Sequence, residues 1–135
     1  EEIYDGQWYK DQRHGVGTYF YTKQQGKFNR YKGKWNYGRR HGQGILYFRD
    51  GSTYKGNFVD DCQDGVGTLT DENGMCYEGS FKENKYHGLG RLEFDDSMNY
   101  TGEFNKDERE GKGKLTYPNG NNFTGIWKGN EAVGK

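Results

Sequence analysis

Residues 54–76 read YKGNFVDDCQDGVGTLTDENGMC, and residues 77–99 read YEGSFKENKYHGLGRLEFDDSMN. The two stretches share a pattern more than they share residues. A tyrosine opens each, glycine follows two residues on, and phenylalanine stands four on (Tyr54, Gly56, Phe58; Tyr77, Gly79, Phe81). Paired glycines come eleven and thirteen residues on (Gly65, Gly67; Gly88, Gly90), and leucine comes fifteen on (Leu69; Leu92). Working outward, further copies start at Tyr4, Tyr31, Tyr100 and Phe123. The spacings are 27 and then 23 four times, so the first copy carries four extra residues near 23–27. A fixed period of this length means one supersecondary unit stacked on itself. The sixth copy stops at Lys135 and no methionine opens the chain, so the sequence reads as a segment of something longer.

Within one copy, Tyr-x-Gly-x-(Trp/Phe) and Gly-x-Gly-x-Leu both alternate with a period of two, the period of a strand. No stretch carries a helical stripe, and glycine this frequent weakens any helix. Each copy is therefore two short strands, about eleven in all. Seven residues after each start stands Asp11, Gly38, Asp61, Asn84, Asp107 or Asn130, all types that tolerate positive φ. A two-residue loop formed by that position and its successor sets position 4 opposite 11, 2 opposite 13, and 0 opposite 15. Between copies, Arg49-Asp50-Gly51, Glu72-Asn73-Gly74, Asp95-Asp96-Ser97 and Pro118-Asn119-Gly120 read as three-residue loops ending in a left-handed residue. A two-residue loop there would turn the next tyrosine to the opposite face.

These registers lay three rows across one face of an open meander about 50 Å wide. The first alternates Tyr31, Leu46, Tyr54, Leu69, Tyr77, Leu92, Tyr100 and Leu115; the second is Gly33, Gly44, Gly56, Gly67, Gly79, Gly90, Gly102 and Gly113. The third alternates Trp35, Phe58, Phe81 and Phe104 with Gly42, Gly65, Gly88 and Gly111. The other face carries Lys32, Lys34, Lys55, Glu78, Arg91, Glu103 and Lys114, a solvated surface of mixed sign.

Composition excludes several alternatives. Glycine is 23 of 135 residues, and twelve Tyr, eight Phe and three Trp make up over half of an apolar fraction of only 30%. A core of aliphatic side chains buried on both sides is therefore ruled out. Twenty basic residues balance twenty acidic ones, which argues against a nucleic-acid-binding domain. No apolar run reaches the ~18 residues of a membrane-spanning helix, and no signal peptide is expected. Cys62 and Cys76 match no zinc or redox spacing and read as free thiols of a reducing, cytoplasmic compartment.

The pattern Tyr-x-Gly-x-(Trp/Phe) followed by (His/Asp/Glu)-Gly-x-Gly every 23 residues resembles the MORN repeat (membrane occupation and recognition nexus) over essentially the whole chain. Asp64 and Glu110 stand where other copies have histidine. The resemblance implies an elongated, twisted, single-layer sheet of stacked hairpins. It also implies a non-catalytic scaffold, with a cilium or the cytoskeleton as the expected setting.

No residue constellation signals an enzyme, a cofactor or a metal. The GxG pairs lead into strands, whereas a phosphate cradle needs a helix N-terminus. His14, His41 and His87 recur two strand spacings apart, about 10 Å, too far to share one ion. They read as turn supports or surface residues. The ring and glycine rows are the informative feature, because no second layer exists to cover them and so large an apolar patch suggests a partner. Glycine as a floor and Tyr31, Trp35, Leu46, Tyr54, Phe58, Leu69, Tyr77, Phe81, Leu92, Tyr100 and Phe104 as walls make a trench for a partner peptide or helix. End-to-end self-association through edge strands is a further possibility. The alternatives are tethering to anionic lipid through Lys32, Lys34, Arg39, Arg40 and Lys55, or service as an accessory domain of a lipid kinase or methyltransferase.

Overall fold

The computed structural model describes residues 3–94 and 97–134. It is one open antiparallel sheet of twelve strands in strict chain order. These are β1 (Ile3–Tyr9), β2 (Gln12–Phe20), β3 (Phe28–Asn36), β4 (Arg39–Phe48), β5 (Thr53–Val59) and β6 (Cys62–Thr70), then β7 (Cys76–Lys82), β8 (Lys85–Glu93), β9 (Asn99–Asn105), β10 (Glu108–Thr116), β11 (Asn122–Lys128) and β12 (Glu131–Gly134). A single 3-10 turn, Lys23–Gln25, takes up the extra residues of the first copy. The expected all-β meander of stacked hairpins is what the chain forms.

The loops between copies have the expected three residues. Phe48 N–H bonds Ser52 O at 2.9 Å and Gly51 N–H bonds Phe48 O at 3.2 Å, with Gly51, Gly74 and Gly120 at φ of 96°, 99° and 92°. Ser97 takes the same left-handed conformation at φ 72°, while Asp95 and Asp96 of that loop lie outside the described residues.

Inside each hairpin the turn differs from expectation by one residue. The loop is positions 6 and 7, not 7 and 8: Asp60 and Asp61 have φ of 45° and 74°, and Glu83 and Asn84 have 49° and 71°. Two consecutive residues at positive φ make the type I′ turn that matches strand twist. Phe58 consequently pairs with Gln63, while Gly56 still pairs with Gly67. The parity is restored by a bulge in which position 11 turns left-handed, at φ 86° for Gly42 and 96° for Gly65. The two glycines of each GxG therefore do different work. The first turns the bulge; the second lies under a ring.

The bulge leaves strand amides without a cross-strand partner, and side chains from position 3 meet them. Glu103 Oε2 accepts from Lys112 N–H at 2.8 Å, and Gln7 Oε1 accepts from Val16 N–H at 2.8 Å. Asn57 Nδ2 donates to Asp64 O at 2.9 Å.

The core lies on one face. Each interior tyrosine lies across the glycine pair of its own hairpin, which brings its hydroxyl within reach of a carbonyl three residues on. Tyr31 donates to Lys34 O at 2.9 Å, Tyr54 to Asn57 O at 2.7 Å and Tyr77 to Ser80 O at 2.8 Å. A Cβ at Gly44, Gly90 or Gly113 would collide with the phenol of Tyr31, Tyr77 or Tyr100. One at Gly56 would sit 2.5 Å from Gly67 Cα. We therefore predict that Gly56→Ala lowers stability by about 1–3 kcal/mol in urea unfolding, the usual cost of overpacking.

Candidate functional site

The ring face is built as a zigzag. Each tyrosine meets the position-4 aromatic of its own copy and that of the next, edge to face. Tyr31 lies 5.0 Å from Trp35 and 5.1 Å from Phe58; Tyr54 lies 5.1 Å from Phe58 and 4.9 Å from Phe81. The series continues through Tyr77, Phe104 and Tyr100 to Trp127. Such pairs contribute about 0.5–1.5 kcal/mol each beyond burial. Trp35 and Trp127 also donate Nε1–H to the carbonyls of Gly17 and Gly113, at 3.1 and 3.2 Å.

This packing closes the expected trench. Tyr31, Tyr54, Tyr77 and Tyr100 are wholly buried, and Trp35, Phe58, Phe81 and Phe104 are no more than 5% exposed. Leu46, Leu92 and Leu115 are buried as well, leaving Leu69 half-exposed among the leucine row. The row Gly33, Gly44, Gly56, Gly67, Gly79, Gly90, Gly102 and Gly113 does lie side by side across the sheet, but the chain's own tyrosines fill it. The reason is geometric: a ring next to two residues without side chains can lie flat on them and satisfy its hydroxyl at once. The rings are the core of a one-layer protein, not its docking surface.

What remains open on this face is a flanking strip of half-buried apolar residues, Tyr21, Phe28, Phe48, Leu69, Met75, Phe94 and Met98, packed against the core. Near its start a hollow of about 320 Å³ has Phe28, Phe48, Leu46 and Leu69 as its apolar lining, with Lys27 and Arg40 and the carboxylates of Asp50 and Asp61 among its polar lining. Phe28 and Phe48 meet edge to face at 5.6 Å, and Lys27 Nζ stands 5.9 Å from each ring. Leu69 apart, sequence reasoning missed this strip, although a signal was there: position 17 is aromatic in four of five copies, Tyr21, Phe48, Phe94 and Tyr117 against Asp71.

Position 9 supplies a second row on the ring face. The Arg40 guanidinium lies 5.0 Å from Phe28, Arg109 lies 4.9 Å from Trp127, and Tyr86 stacks on Tyr77 at 3.9 Å. Each of these residues is tied to the turn of the next copy. Asp61 Oδ1 accepts from Arg40 N–H at 2.9 Å and from Arg40 Nε at 3.2 Å, while Asp61 N–H donates to Arg40 O at 2.9 Å. Asn84 Oδ1 takes Gln63 N–H at 2.8 Å, Asp107 Oδ1 takes Tyr86 N–H at 2.8 Å and Asn130 Oδ1 takes Arg109 N–H at 2.9 Å. The acidic or amide side chain at position 7 thus staples copy to copy, beyond tolerating positive φ.

The histidines act at the same junction. His14 Nδ1 accepts Tyr37 N–H at 3.2 Å, and His41 Nδ1 accepts Asp60 N–H at 3.3 Å. Asp64 does the equivalent for Glu83 N–H at 3.4 Å. Among the described residues no group of three His, Cys, Asp or Glu side chains is placed to hold a metal. The basic cluster divides: Lys32, Lys34, Arg39 and Lys55 are exposed, whereas Arg40 turns to the ring face and pairs with Asp61. Cys62 and Cys76 are free and half-buried, and burial raises the Cys76 thiol.

The copies joined in this way coincide with a known repeat: the family model of the MORN repeat matches residues 4–26, 31–53, 54–76, 77–98 and 100–122. The chain belongs to the MORN-repeat family. MORN repeats are found in proteins that bind other proteins or membranes. A search of curated proteins finds no match. The sixth MORN-like copy, from Phe123, lies beyond the matched segments and forms β11 and β12.

Burial also sets the titration of the ring face. It pushes the Tyr54 and Tyr86 phenols up to about 12, and those of Tyr31 and Tyr77 higher still, from an ordinary value of 10.0. The folded chain then holds phenol protons that the unfolded chain has released, so stability is full below pH 10 and falls above it. Alkaline titration followed by circular dichroism should show loss of strand signal beginning between pH 10 and 12, together with delayed phenolate absorbance. A second test addresses the staple. Asp61→Gly should lower stability by about 1–2 kcal/mol in urea unfolding, and Asp61→Asn, which keeps the acceptor oxygen, should cost far less.

Proposed function

We propose that this MORN array is a non-catalytic protein-binding scaffold that docks a partner segment along the Phe28–Met98 strip of its ring face. The hollow that Phe28, Phe48, Leu46 and Leu69 help to line carries this reading, since it opens on a single layer that no other element among the described residues covers. Rigid rings bordering a hollow are the usual anchor points of an interface. Lys27 and Arg40 are matched in the lining by Asp50 and Asp61, the latter already paired with Arg40, so the hollow selects an apolar anchor side chain rather than a charged one. We place the scaffold in a cytoskeletal or ciliary assembly, the setting that the family resemblance implies.

The test uses Phe28→Ser and Phe48→Ser together, because neither ring belongs to the buried zigzag. Proteins captured by the unmodified chain from extract of ciliated cells should be lost by this variant while its strand spectrum is retained. Capture that persists on the folded variant, or salt-sensitive binding to anionic vesicles that the variant keeps, would remove the reading and favour a membrane-surface role.

A further inference from the structure

The staple between copies is complete at Asp61, Asn84, Asp107 and Asn130 but not at the first junction. Position 7 of the second copy is Gly38, which offers no side-chain oxygen. Its backbone does the rest: Gly38 N–H donates to Arg13 O at 2.8 Å, and Arg13 Nη2 donates to Gly38 O at 3.1 Å. The acceptor that Arg40 finds in Asp61 Oδ1 and Arg109 finds in Asn130 Oδ1 has no counterpart at Arg13. Accordingly Arg13 Nε is, among the described residues, a buried side-chain nitrogen without a hydrogen-bond partner. An unmet buried donor on a charged group is costly, so a structure that keeps one invites an acceptor.

The space for that acceptor exists. A Cβ at Gly38 would come no nearer than 3.9 Å to another heavy atom, that of Gln12 Nε2. On the ring face a cavity of about 310 Å³ opens here between Arg13, Tyr19, Tyr21, Trp35, Gly38 and Arg40. The Arg13 guanidinium is held between the Tyr19 ring at 4.5 Å and the Trp35 ring at 4.8 Å, which fixes its direction. The one carboxylate lining the cavity, Asp61, is already committed to Arg40. The cavity therefore carries one more guanidinium than carboxylate.

We infer that this cavity is a carboxylate-binding site, in which an Asp or Glu side chain of a partner protein takes the place that an Asp side chain fills at the next junction. Arg13 Nε–H and the Arg13 backbone N–H are the donors, by analogy with the pair that Arg40 presents to Asp61 at 3.2 and 2.9 Å. A charge-assisted contact to a pre-oriented guanidinium gives direction as well as attraction. The chemistry points to a carboxylate because Asp61 completes the site at Arg40 with one, and because the cavity's surplus guanidinium calls for an anion where the amide that serves Arg109, Asn130, brings no charge. The source of the carboxylate rests on the scaffold reading above; the site itself does not.

The test is a proton–nitrogen NMR titration of the protein with sodium acetate, matched against sodium chloride. Saturable shifts are expected at Arg13 Nε–H and at the Arg13 amide, while the Nε–H signals of Arg40 and Arg109, already paired, stay still. Gly38→Asp and Gly38→Asn place an acceptor in the cavity from within; both should abolish the response, and the Asn variant does so without adding charge. Both should also raise the urea midpoint, because φ at Gly38 is 84° and Asp61 and Asn84 occupy equivalent positions at 74° and 71°. The inference falls if Arg13 responds no more than Arg109, if the folded Gly38 variants still respond, or if inorganic phosphate is preferred over acetate. None of these results depends on the Phe28 and Phe48 strip, so this site and the docking reading fail separately.

Discussion

A tyrosine ring lying on two residues that have no side chains is the contact on which this protein depends. A single sheet has no second layer to cover its apolar face, so burial must come from within the face itself. The glycine pair lowers the floor by one side chain, and the ring drops into that space. Its hydroxyl then reaches a carbonyl three residues on, as Tyr54 does to Asn57, so the polar end of a fully buried ring is satisfied locally. The position-4 aromatics fill the gaps between successive tyrosines, and the result is a continuous core one ring thick.

A core this thin has to be held in register, and polar contacts do that at its edge. The bulge at position 11 bends the second strand of each hairpin and frees an amide, which Gln7 or Glu103 recovers. The type I′ turn then presents the position-7 oxygen to the preceding copy. Because each junction uses both partners' backbones, as between Asp107 and Tyr86, the side chain at position 9 is fixed in direction and lies over the rings. Arg13, Arg40, Gln63, Tyr86 and Arg109 occupy this position, so the chemistry of the face varies from copy to copy over an unvarying frame.

The frame was readable in the sequence because period and parity are carried by residue types. Tyr54, Gly56 and Phe58 alternate as a strand must, and Asn73-Gly74 or Pro118-Asn119-Gly120 state a three-residue turn. Alternation places the in-hairpin turn one residue late because a bulge is invisible to it: Gly65 satisfies an unbroken strand pattern as well as it satisfies a left-handed kink. Spacing predicts an open trench because it says which residues share a face, not whether a ring stands up or lies down. Tyr54 lies down, and the surface left for a partner shifts to Phe28, Phe48 and Leu69; the last two stand at repeated positions, but repetition does not say which residues stay open once the tyrosines lie flat. Nor does composition announce that Arg13 lacks an acceptor; that follows from one glycine in a column of Asp and Asn, seen only once the junction geometry is known.

Strand order that follows chain order from β1 to β12 has a mechanical meaning. Tension applied to the two termini pulls across the strands, so it opens the backbone bonds of one pair at a time and never shears many together. Such a ribbon yields in increments of one hairpin, at low force, and recovers by re-zipping onto the hairpin beside it. In a load-bearing assembly it would behave as a compliant strap that pays out length in steps of one repeat.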